Sequence, residues 1–192
     1  MAISRQPFGK QSASALAAAQ LEVATLVAAV RGGNGDALGQ LYERTAGAVY
    51  ASAYRILGSE HDAEDVLQDV FLGLPDALRG YEEQGKFESW IKRVAVRTAL
   101  MRMRAQQRLR EDALDVAVDA AVAPSGGTVD RIAARDAIAR LPDSLRVVFM
   151  LKEVEGYSHA EIADMLGIKP GASAARLFRA WELLLANSEK HS

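Results

Sequence analysis

No cysteine occurs in the 192 residues. Disulfides, thiolate metal sites and thiol nucleophiles are thereby excluded, and the composition suits a reducing compartment, the cytoplasm by default. Histidine occurs only as His61, His159 and His191, too scattered in the chain for an imidazole-rich metal site. No glycine-rich phosphate loop and no Ser-His-Asp set is visible. No run of about eighteen apolar residues exists, so no membrane-spanning helix is expected. The most apolar stretch, "ASALAAAQLEVATLVAAV", is interrupted by Gln20 and Glu22 and is followed by no clear cleavage site; it reads as a buried helix rather than a signal peptide. Strand-like alternation and internal repeats are also missing, which leaves an all-α chain.

Apolar residues make up 49% and charged residues 25%, so the chain folds, with length for one large core or two small ones. The net charge of −2 argues against nucleic acid only if charge is evenly spread. It is not. From Lys86 to Arg110 eight Lys or Arg stand against one acid, Glu88, whereas from Glu111 to Asp143 seven acids stand against three Arg. A basic block followed by an acidic one predicts two modules and a connector with different electrostatic roles.

Residues 1–14 are polar and unpatterned and read as a loose tail. A first helix is expected over about 15–31, ended by "GGNG". Leu38, Leu41, Tyr42, Thr45, Val49, Ala53 and Ile56 then form one apolar stripe on a helix that stops at Gly58. In "DAEDVLQDVF" one face carries Ala63, Val66, Val70 and Leu74, and another carries Asp62, Asp65 and Asp69. Pro75 predicts a break and a short restart. After "EEQGK" comes the most basic helix, with Phe87, Trp90, Ile91, Val94, Ala95, Thr98 and Met101 inward and the arginines outward. "VAVDAAVAPSGGTVD" has no sustained period and reads as a linker. Helices resume over 130–140 and again from Pro142 to about Glu155.

The stretch "GYSHAEIADMLGIKPGASAARLFRAW" has the makings of a helix-turn-helix: a capping box in "SHAE", a turn at Gly167 and a new helix from Pro170. Ile162, Ala163 and Leu166 are expected to pack against Ala172, Ala175 and Leu177, holding the second helix out for a major groove. A plain helical hairpin has a similar pattern; the capping box and the basic residues favour DNA. Lys169, Ser173, Arg176 and Arg179 are the donors, while Ala172, Ala174 and Ala175 offer only methyl groups. In the basic helix, arginines beside Tyr81, Phe87 and Trp90 combine cations with flat rings, as single-stranded nucleic acid requires, although the same aromatics suit a core and the charges a solvated face. "HDAED" is similar to the His-Asp pair of metal-dependent phosphohydrolases but lacks further ligands, so neither metal nor cofactor is expected.

"LYERTAGAVYASAYRILGSEHDAEDVLQDVFLGL", "GKFESWIKRVAVRTALMRMR" and "LPDSLRVVFMLKEVEGYSHAEIADMLGI", in that order around a linker, resemble the extracytoplasmic-function sigma factors of bacterial RNA polymerase. The resemblance covers about 24–185 and, after the loose tail over 1–14, implies a sigma-two-like helical domain over 15–110, a flexible linker over 111–129 and a sigma-four-like domain over 130–188. It implies that Asp62, Glu64, Asp65, Gln68, Asp69 and Phe71 dock on the clamp helices of the largest polymerase subunit. It implies capture of the melted minus-ten element by Lys86, Phe87, Trp90, Lys92, Arg93 and Arg97. Lys169, Ser173, Arg176 and Arg179 would contact the minus-thirty-five element, with this module on the flap of the second-largest subunit. An anti-sigma protein is a further implied partner. Members commonly carry Thr, Lys and Ser where Ala172, Ala174 and Ala175 stand here.

A large partner explains how a chain of negative net charge binds DNA, since linkage to polymerase supplies affinity the chain lacks alone. The leading expectation is a non-enzymatic alternative sigma factor that directs transcription initiation. The alternatives are a sigma-like decoy that binds an anti-sigma protein without promoter recognition, and a phosphohydrolase built on His61 and Asp62.

Overall fold

The computed structural model describes residues 8–112 and 137–189. The expected linker lies outside them except for residues 111 and 112, which are still helical, and so do most of the helix expected over 130–140 and the start of the N-terminal tail. All regular structure among the described residues is helical.

Helix α1 runs over Phe8–Arg31, starting earlier than the expected residue 15, because no proline follows Pro7 and Gln, Ser and Ala tolerate a helix. Gly33, at φ 84, turns the chain, and the Asn34 side chain accepts from the Ala37 amide to open α2, Gly35–Leu57. Gly58 closes it in the left-handed region at φ 71, donating to the Tyr54 carbonyl at 2.8 Å. Ser59 caps α3, Glu60–Ala77. The break expected at Pro75 does not occur: the helix passes through it and tightens into a 3₁₀ turn at Leu78–Gly80. Pro75 sits in the last turn, where its missing N–H costs one bond at most, and Leu74 and Leu78 on either side are wholly buried.

Helix α4, Phe87–Asp112, buries Phe87, Ile91, Ala95, Val96, Ala99 and Leu100. Met101, expected inward, is 68% exposed. At 100° per residue it lies about 240° around the helix from Ala95, on the far side from the core. In the second module, α5, Asp143–Phe149, continues as a π-helical stretch over Met150–Val154. The capping box is formed as expected: the Glu161 amide donates to Ser158 Oγ at 3.2 Å and the Ser158 amide to Glu161 Oε2 at 2.9 Å. It opens α6, His159–Leu166; Gly167, at φ 66, ends it, and α7 follows over Pro170–Glu189.

Leu41, Ile56, Leu74, Ile91 and Leu100 centre the core of α1 to α4. Val147, Val148, Leu151, Tyr157 and Ile162 of the second module join this same core, while Leu141, Leu145, Phe149, Met150 and Ala180 form a smaller one. The two modules are thus packed together. Glu155, with its side chain only 7% exposed, crosses the seam to Arg55 at 2.5 Å and Ser52 at 3.2 Å. Arg104 of α4 donates to the Met165 carbonyl of α6.

Candidate nucleic-acid and polymerase interfaces

The acidic face of α3 follows from its spacing, since residues three and four apart share one side of a helix. Glu64, Gln68 and Asp69 are exposed on it. Asp62 and Asp65 are half-buried and already engaged: Arg102 of α4 donates from Nε to Asp62 at 2.8 Å and from Nη2 to Asp65, and Gln106 adds a 2.8 Å bond to Asp62. Burial would push the Asp62 carboxyl up, but bonds from Arg102, Ser59 and Gln106 and the Arg102 charge outweigh it, and the group is held below its ordinary value. Phe71, expected on the docking face, instead points inward, edge-on to Tyr42 at 4.8 Å between centroids. Leu72, one position on, takes the outward place at 79% exposure. Sequence reasoning missed it, although a leucine four residues after Gln68 on a polar face was the available sign. His61 is exposed and 3.8 Å from Asp65. No group of three or more potential ligands for a metal ion occurs among the described residues.

The second face lies where the loop after α3 meets the start of α4. Tyr81, Phe87 and Trp90 form an aromatic cluster, Tyr81 lying 4.7 Å from Trp90 and 5.8 Å from Phe87. Phe87 is buried and supports the others from beneath; it is not free to stack on a base. Trp90 is half-exposed and lines an open cleft of about 410 Å³ with Tyr81, Glu82, Gln84, Lys86 and Arg93. Burial, then the Glu83 charge and hydrogen bond, push the Tyr81 hydroxyl up to about 12, so it stays a proton donor to Glu83. Lys86, Arg93 and Arg97 are exposed and Lys92 half-buried. A cationic cleft with one flat ring wall suits an unstacked base and its phosphate.

The third face is the outer side of α7. Lys169 and Arg179 are exposed and Arg176 half-buried. Ser173, expected as a DNA contact, is fully buried and shares a 3.0 Å hydrogen bond with His159 Nδ1. Ala172 and Ala175, expected inward, are exposed. The helix is rolled so that Ser173, Leu177 and Ala180, at steps of four and three, face the module, and the alanines face solvent. The reading face is therefore three cations around methyl groups.

The description sigma-70 region 2 matches residues 41–109, covering most of α2 through α4, and sigma-70 region 4 matches residues 131–184. The ECF RNA polymerase sigma-E factor of Escherichia coli (strain K12) is 31% identical over 180 residues, covering 86% of this chain and 93% of that protein. This chain belongs to the ECF sigma factors. The ECF RNA polymerase sigma factor SigE of Mycolicibacterium smegmatis is 32% identical over 160 residues, 80% of this chain and 62% of that longer protein. Among solved structures, CnrH in complex with the cytosolic domain of CnrY superposes with a TM-score of 0.51 at 28% identity, covering 88% of this chain and 97% of CnrH. The family comprises alternative sigma factors, subunits that bind core RNA polymerase and direct promoter recognition and transcription initiation. In this sigma factor the first two faces lie in region 2 and the third in region 4. No helix among the described residues is long and apolar enough to cross a membrane.

Proposed function

We propose that this sigma factor divides promoter-specific initiation among its three faces, acting in the cytoplasm as a non-enzymatic subunit. Glu64, Gln68, Asp69 and Leu72 dock on the clamp of core polymerase, with Asp62 and Asp65 contributing through the charge they share with Arg102. Lys86, Trp90, Lys92, Arg93 and Arg97 hold the melted minus-ten strand, and Phe87 supports Trp90 from the core. Lys169, Arg176 and Arg179 track phosphates at the minus-thirty-five element, with Ser173 holding the helix in place. The observation that carries this reading is the cleft at Trp90, where one half-exposed ring, Lys86 and Arg93 share a single opening.

Run-off transcription with purified core polymerase tests it, comparing a linear template with one pre-melted at the minus-ten position. Transcripts are expected from a cognate promoter, and Trp90→Ala is expected to fail on the linear template while recovering at least partly on the bubble. Polymerase binding without transcription from any promoter would favour a decoy instead, the reading supported by the alanine-rich outer face of α7. An anti-sigma protein is the other partner we propose, supported by the likeness to CnrH, which was solved with a cytosolic protein domain bound.

A further inference from the structure

Helix α1 lines no part of the Trp90 cleft, yet it grips the loop that builds it at both ends. At the near end, α3 finishes in the 3₁₀ turn, where the Leu78 carbonyl accepts the Tyr81 amide at 3.2 Å. Arg31 adds a second donor there and reaches one step further: its Nε donates to the Leu78 carbonyl at 2.9 Å and its Nη2 to the Tyr81 carbonyl. At the far end, Gln20 donates to the Gly85 carbonyl at 3.3 Å. Between them, Glu83 Oε1 accepts from the Gly85 amide at 2.7 Å and from the Tyr81 hydroxyl at 3.2 Å. Gly85 itself stands at φ 68, a conformation that L side chains rarely adopt.

Tyr81 is the hinge of this arrangement. Its backbone is held by Arg31 and its buried ring packs against Trp90, so the guanidinium fixes the support on which the flat wall of the cleft rests. A planar fork meets two carbonyls at once and fixes both; an ammonium on a flexible stem fixes one. A loop ordered before binding does not lose its freedom when the strand arrives, and the saving appears as affinity and as discrimination among bases.

We infer that Arg31 is a positioning residue for single-strand capture, holding the Trp90 cleft preformed through Tyr81, with Gln20 as a weaker second tether. This rests on the reading of the cleft as the minus-ten site. The test uses holoenzyme assembled from the full chain and core polymerase, and measures binding of labelled homopolymeric strands of dA, dC and dT by fluorescence anisotropy. Arg31→Ala is expected to weaken the tightest strand about tenfold, equivalent to about 1.4 kcal/mol, and to narrow the spread of affinities among the three, with assembly on polymerase unchanged. Arg31→Lys should fall between Arg31→Ala and the wild type, and Gln20→Ala should lose about twofold, as for one exposed hydrogen bond.

Wild-type affinities and spread for Arg31→Ala would overturn the inference, as would an equal loss on all three strands, the mark of a packing defect without a shaped cleft. If Arg31→Ala does not fold, Arg31→Lys and Gln20→Ala decide by the same criterion. Trp90→Ala in the same assay separates the two levels. If it is silent, the cleft is not the capture site; if it loses binding while the Arg31 variants do not, only the positioning role falls.

Discussion

A carboxylate that already holds a guanidinium is poorly placed to hold a second, and at the residue scale this separates the acids of α3. Asp65→Lys sets a cation beside Arg102, so it should lower stability as well as polymerase affinity. Leu72→Asp and Asp69→Lys, at exposed positions, should weaken co-elution with core polymerase and leave Tm within about a degree or two, since surface changes stay near 0.5 kcal/mol. Undiminished co-elution of both variants would remove that face from the interface. Asp62 adds a pH dependence. Its folded pKa lies below the unfolded value of about 3.9, so the stability it contributes is present above that value and is lost as pH falls through the lower, folded one. Arg102→Met should therefore cost about 1 kcal/mol at neutral pH, and the difference in Tm from wild type should close in strong acid. A difference that ignores pH would mean that Arg102 acts through packing alone.

At the scale of elements, the roll of α7 decides what the second module can read. Because Ala174 and Ala175 face solvent, Ala175→Lys should be accommodated without loss of Tm and should strengthen binding to duplex DNA at low salt. Arg179→Ala should do the reverse, weakening binding across sequences and lowering the salt slope by about one. Titration of both variants with duplex at several salt concentrations checks this, and a slope unchanged in Arg179→Ala would take that residue off the phosphates. Ser173→Ala belongs to another class: it removes the partner of His159 inside the module, so it should lower Tm and affect DNA binding only through the angle of α7. Helix α4 is likewise two-sided, its apolar arc in the core and Arg93 and Arg97 outside, so its basic character never conflicts with its burial.

For the whole molecule, the proposed roles of the faces make the packed arrangement of the two modules one that promoter binding must open. Arg93 of the proposed minus-ten face lies 3.8 Å from Glu161 of the helix-turn-helix, and Tyr157, raised first by burial and then by Glu155, also feels Arg93 and Arg97. Elements about 25 base pairs apart at 3.4 Å each are separated by about 85 Å of duplex, so these faces cannot both be on promoter DNA while in contact. Glu155→Lys, placing a cation against Arg55, should separate the modules, raising the radius of gyration in small-angle scattering and strengthening binding of free protein to single-stranded DNA. An unchanged radius of gyration with unchanged DNA binding would show that Glu155 is not what holds the seam closed.

What the sequence by itself determined is whatever depends on a few neighbouring residues. The stops at Gly58 and Gly167, the Ser158 capping box, the buried stripe of Ala63, Val66, Val70 and Leu74 and the motifs of the family were all legible, because caps, turns and helical faces are set within about four positions. Pro75 and Met101 misled because tertiary burial, not local propensity, chose the continuation of α3 and the inward arc of α4. Only the tertiary structure decided that Arg102 clamps Asp62 across 40 residues, that Arg31 braces the loop 47 residues away and that Glu155 reaches Ser52 across 103. Such contacts follow from which helices pack together and at what roll, and the pairing of one polar side chain with another over that distance leaves no period in the chain.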